Sequence, residues 1–264
     1  MQSLRHQALE VVLQRDAGRK AEQALQLDMA MSIDADVLLE EPAGIPGRPV
    51  RPELFPRLPP GQKPKSLATA EGRAELLHAL AHIEFNAIDL AADVVWRFPG
   101  MPEAFYRQWA QVAREEAHHF QLLRDHLRMT GHDYGDFPAH TGLWDMAGKT
   151  KHDLLARLAL VPRTLEARGL DASPAVKKKL TGAGDHRAGQ ILDIILRDEI
   201  GHVEIGNRWY RQLCRERGLD PVAIYPGLVA QYQAPRLRPP FNLSARGAAG
   251  FSEEELAYLQ AELS

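Results

Sequence analysis

Two short stretches carry residue types that do chemistry. REEAHHF contains Glu116 and His119, and RDEIGHV contains Glu199 and His202, each a Glu-x-x-His pair. Residues three apart share one side of a helix, so both side chains of a pair can reach one ion. Two further carboxylates stand about one helical hairpin upstream: Glu84, 32 positions before Glu116, and Glu166, 33 before Glu199. The chain thus reads as two similar halves, each Glu…Glu-x-x-His. Packed together they would aim four Glu and two His into one core, the donor set of a carboxylate-bridged pair of metal ions. Carboxylates are hard donors that offset about four positive charges, and one imidazole per ion suits iron, with manganese or a mixed iron–manganese pair as alternatives. A single Glu-x-x-His is usually a solvated pair; two of them at matched spacing are not a common accident. Glu115 with His118 is a third pair, one residue out of phase on the same helix.

Four long helical patterns must position these residues. The first runs from about Ala70 to Phe98, with Leu76, Leu77, Leu80, Ile83, Ala87, Ile88, Ala91 and Val95 on one broad face. Phe98-Pro99-Gly100 stops it. The second covers Pro102 to Met129 and ends at Gly131. The third is expected over Leu143 to Arg168, kinked at Pro162, with a short helix near 173–180 behind it. The fourth spans about Ala188 to Arg217. No stretch alternates, so no sheet is expected. The fold class is therefore all-α, a four-helix bundle over residues 66–217. Residues 1–65 precede it as an N-terminal helix and a Pro-rich strap, and 218–264 follow as a wrapping tail. The strap holds eight prolines between Glu41 and Lys65, which exclude helix and central strand; Val50, Leu54, Phe55 and Leu58 would press it onto a surface. In the tail, Ser252 and Glu255 have the spacing of a reciprocal helix cap.

Composition narrows the function classes. At 264 residues with 45% hydrophobic and 25% charged side chains, the chain can bury a large core. A net charge of -3 is no footprint for general nucleic-acid binding. One cysteine, Cys214, excludes an internal disulfide and a Cys-based zinc or iron site. The first twenty residues lack the continuous apolar core of a secretion signal, and no stretch is apolar enough to span a bilayer, so a cytoplasmic protein is expected. Asp89 and Asp93 read as surface salt-bridge residues, His82 as a core histidine, and Tyr106, Tyr134 and Tyr210 as equal candidates for a redox-active neighbour.

The blocks HIEFNAIDLAADVVWRFP, REEAHHFQLLRDHL, VPRTLEARGLD and RDEIGHVEIGNRWY resemble the ferritin-like superfamily, more narrowly a rubrerythrin-related bacterial family of unknown function. The resemblance covers about residues 50 to 215. It implies Glu84, Glu116, His119, Glu166, Glu199 and His202 as ligands of two metal ions. It also favours Glu116/His119 over Glu115/His118, because the superfamily pattern is Asp/Glu-Glu-x-x-His, as in DEIGH. Asp198 and Glu115 would then accept from ligand imidazoles. The activity implied is oxidation, by hydroxylation or desaturation, of a small organic substrate with O₂. Electrons would come from a separate donor, since no dinucleotide fingerprint is present. More distantly the chain is similar to a tRNA hydroxylase that oxidises an isopentenylated adenosine, although its near-neutral charge argues against a nucleic-acid partner. The alternatives are a peroxide- or iron-handling protein, without the Cys-x-x-Cys electron donor of a rubrerythrin, and a helical module with a structural metal.

Overall fold

The computed structural model describes residues 3–42, 48–55 and 65–261. It is all-α: long helices packed as bundles, with one two-residue strand pairing. The chain divides into two compact units, one of residues 1–144 and 179–191, the other of residues 145–178 and 192–264.

In the first unit the apolar spacing of Leu4, Ala8, Val11 and Val12 forms α1 (Leu4–Leu13). The expected single N-terminal helix breaks here. Asp16 turns its carboxylate onto the Arg19 N–H and starts a new helix, α2 (Ala17–Leu25). Thr69 caps α3 (Ala70–Arg97), which runs to the expected Phe98-Pro99-Gly100 stop, and α4 (Glu103–Met129) ends before Gly131, whose φ of 87° only glycine adopts cheaply. α3 and α4 pack along their lengths, α1 on α3 and α2 on α4. Every residue of α3 from Glu84 to Trp96 is buried, so this half is covered all round rather than on one face, while Ile83, expected in the core, is exposed. Buried Arg5 closes the C-terminal end of α3, donating to the carbonyls of Val95 at 3.2 Å and Trp96 at 2.7 Å, where a cation is favoured.

Of the Pro-rich segment, residues 48–55 are described and make two backbone attachments. The Val50 N–H donates to the Arg15 carbonyl, and β1 (Leu54–Phe55) pairs in parallel with β2 (Ala139–His140), Leu54 opposite Ala139. This small pairing corrects the expectation of no strand: proline excludes central strands but leaves two free residues able to form an edge bridge. Val50 itself is 66% exposed, and Leu58 lies outside the described residues.

In the second unit the expected third helix is in pieces. α5 (Gly142–Lys149) stops, and Asp153 caps a fully buried α6 (Leu154–Leu160). Residues Val161–Glu166 then form a π-helical segment, which runs directly into α7 (Ala167–Gly182). The short helix expected near 173–180 is therefore part of α7. At Pro162 the chain absorbs the missing N–H by widening the turn. Thr164 Oγ1 donates five residues back, to the Ala159 carbonyl at 2.8 Å. Gly206 permits this: a Cβ there would stand 2.6 Å from the Pro162 Cβ. Gly206 belongs to α8 (His186–Glu216), followed by α9 (Pro221–Gln231), α10 (Leu243–Ala248) and α11 (Glu253–Ala261). Ala167, Leu170, Val203, Ala245, Ala249 and Phe251 form a core between α7, α8 and α10. The Ser252–Glu255 cap forms as its spacing predicts, the Ser252 N–H donating to Glu255 Oε2 at 2.8 Å and the Glu255 N–H to Ser252 Oγ at 3.2 Å.

Candidate metal centre

α3 presents Glu84, and α4 presents Glu116 and His119, all at most 5% exposed. Both carboxylates close on one imidazole nitrogen: His119 Nδ1 lies 3.3 Å from Glu84 Oε2 and 3.4 Å from Glu116 Oε2. Glu115 and His118, one residue out of phase, are respectively half-buried and exposed, and Glu115 takes a hydrogen bond from the exposed Gln111 side chain. The reason is geometric. A one-residue step turns a side chain by about 100°, which carries it from the α3-facing side of α4 toward water.

On α8 the second pair has the same internal arrangement, with His202 Nδ1 3.7 Å from Glu199 Oε1, and both residues are buried. Glu166 ends the π-helical segment and is half-buried. Ligand atoms of Glu84, Glu116 and His119, all in the first unit, lie within 4.8 Å of one another. Donors about 2.1 Å from a common ion are at most about 4.2 Å apart, so these three close on an ion after a small contraction.

The electrostatics suit a cation. Glu84 Oε2 has the His119 imidazole beside it, and Glu199 Oε2 is buried with no hydrogen bond. Burial, reinforced by the Glu116 charge, pushes the Glu84 carboxyl up to about 7. Burial alone would lower the His119 imidazole, but Glu116 and Glu84 outweigh it and push it up to about 11. Two buried carboxylates around one imidazole hold negative charge that a metal ion offsets well. The residues therefore fit a metal. Asp198 accepts the neighbouring Arg197 guanidinium at 2.8 and 3.0 Å.

Around this cluster the structure corrects several expectations. Asp89 and Asp93 are not at the surface: both are 0% exposed. Asp93 holds Arg97 at 2.7 Å, and Asp89 pairs with Lys20, itself fully buried. No local signal marks Lys20, whose partner is 69 residues away. His82 is a core histidine, as its place on α3 suggests. Its Nε2–H donates to the His140 carbonyl at 2.9 Å, leaving Nδ1 to accept from the Tyr134 hydroxyl at 2.8 Å. Tyr134, packed against Phe85 and Phe120, is thereby set apart from Tyr106 and Tyr210, whose hydroxyls donate to backbone carbonyls at 2.8 Å. The signal for Tyr134 lay in a loop, where helical periodicity says nothing.

No helix among the described residues is long and apolar enough to cross a membrane. An uncharacterized protein of Haemophilus influenzae is 50% identical over 217 residues, covering 78% of this chain and 75% of that one. No solved structure matches. The model of a family described as a protein of unknown function, DUF455, matches residues 10–257, and the chain belongs to that family.

Proposed function

We propose that this DUF455 protein is an oxidoreductase of the ferritin-like type, which uses a pair of metal ions, iron in the first instance, to oxidise a small organic substrate with O₂. The observation that carries the reading is the buried cluster of Glu84, Glu116 and His119 in the first unit, with a buried Glu199–His202 pair arranged alike in the second. The matched Glu-x-x-His geometry of α4 and α8 supports extending the ligand set to His202, and the π-helical turn ending in Glu166 supports adding that carboxylate.

When bound, the metal pair supplies the electron transfer to dioxygen. The chain's own groups do the rest. Glu116 and Glu199, each one turn from a histidine, hold their carboxylates against the imidazole edge and fix its orientation. Binding a cation displaces the proton that Glu84 and His119 otherwise retain, so loading releases protons. The burial of every α3 residue from Phe85 to Trp96 excludes water from that side. A separate protein supplies electrons.

The test is metal content by elemental analysis after expression in iron-sufficient medium, beside a Glu199→Ala/His202→Ala variant. About two irons per chain, lost in the variant, is the expected result, followed by O₂ uptake that yields an oxidised organic product. Peroxide consumption without organic product would replace this reading by peroxide handling. A wild-type protein that takes up neither Fe(II) nor Mn(II) anaerobically would overturn it.

A further inference from the structure

We infer that the second unit carries a separate binding site for an amphipathic monocarboxylate, with Arg163 as the anchor for its head group. Arg163 lies in the π-helical segment and is 4% exposed. Its Nη2 donates to Glu255 Oε1 at 2.6 Å, but Nε and Nη1 are buried with no hydrogen-bond partner. Leaving charged donors unmet costs more than leaving neutral ones. Stacking offsets part of this, since the guanidinium sits 4.1 Å from the Tyr210 ring centroid and 5.3 Å from that of Phe251.

Arg163 lines a narrow cleft of about 20 Å³, room for a small head group, whose other walls include Tyr225, Leu237, Phe251, Tyr258 and Leu259. A second, wider cleft of about 380 Å³ shares Tyr225, Leu237, Tyr258 and Leu259 and continues past Val229 and Pro235. The walls are aromatic and aliphatic, so the body of an occupant is apolar. Charge selects its head. Glu255 faces two guanidiniums, Arg163 at 2.6 Å and Arg211 at 3.5 Å, and also accepts the Ser252 N–H. One carboxylate against two guanidiniums leaves a single positive charge in excess, which matches a monoanion rather than a phosphate dianion.

The cleft is built rather than incidental. The Tyr225 hydroxyl is hydrogen-bonded to Thr164 Oγ1 at 2.7 Å, and Glu255 is held by its helix cap, so both walls are pinned to the segment that carries Arg163. No candidate metal ligand lines the cleft, so this inference stands or falls independently of the metal centre.

Isothermal titration of the full-length protein with octanoate, octan-1-ol and octylammonium tests it. Saturable octanoate binding at one site per chain is expected, with octanol weaker and octylammonium silent. Arg163→Gln should weaken octanoate by roughly tenfold or more. Leu237→Trp, which keeps the Arg163–Glu255 pair and fills the cleft, should abolish binding and serves where Arg163→Gln does not fold. Absence of saturable octanoate binding, equal binding of octanol or octylammonium, or unchanged binding in Leu237→Trp would overturn the assignment.

Discussion

Glu116 and Glu115 are chemically identical and adjacent, yet only one is held at zero exposure beside an imidazole. Depth separates them. Glu116→Gln keeps the shape but removes a charge, and is expected to lower metal affinity by about tenfold or more, whereas Glu115→Gln leaves metal content unchanged; equilibrium dialysis with Fe(II) or Mn(II) measures both. Lys20 and Asp89 are a second case in which depth decides. Burial pushes the Asp89 carboxyl up to about 7 and lowers the Lys20 ammonium, so neither charge would persist without the other. Lys20→Met is expected to destabilise the protein by about 3–5 kcal/mol in urea unfolding, and adding Asp89→Leu to recover most of that loss.

The π-helical segment is the element that changes most between pattern and structure. Apolar residues from Leu154 onward read as one helix with a proline fault, because a window of residue types registers periodicity and not ring size. What selects the wide turn is the approach of Pro162 to Gly206 on α8, a contact 44 positions apart in the chain. Gly206→Ala gains about 1 kcal/mol of helix propensity but forces a Cβ into the proline ring, so a net loss of about 1–2 kcal/mol is expected. Thermal melts followed by circular dichroism check this, and a Pro162→Ala background should reverse the sign. The Asp16 break between α1 and α2 was also open to reading, since an Asp before a new helical run is a start signal.

At the scale of the whole molecule, buried groups pull stability in both directions in mild acid. His78 and His82 are buried and burial lowers both imidazoles to about 4, while the unfolded chain protonates them near 6.5. Their share of the stability is present above pH 6.5 and is lost as pH falls toward 4, by at most about 3 kcal/mol for each histidine, whereas the raised Asp89 and Glu84 carboxyls gain stability over the same window. Urea midpoints at pH 7 and pH 4.5, compared between wild type and His78→Gln, isolate the histidine share: the variant should lose less stability, or gain more, on acidification. Metal loading should raise the melting temperature in proportion to the logarithm of free metal, because the ion binds the folded ligand set and not the dispersed one.

Helix class, the α3 and α8 boundaries and the Glu-x-x-His pairs were legible from residue types, since spacing along a helix is a local property that 3.6 residues per turn translates directly into a shared face. Within the first unit Glu84, Glu116 and His119 are brought together in space. Only the tertiary structure decided which neighbours lose their water: that Asp89 and Asp93 lie in the core, that Lys20 comes from another helix to meet Asp89, that Tyr134 rather than Tyr106 bonds a histidine, and that Arg163 keeps two unmet donors beside an aromatic cleft. Desolvation depends on everything packed around a group, and those partners stand tens of residues away, where no local pattern reaches.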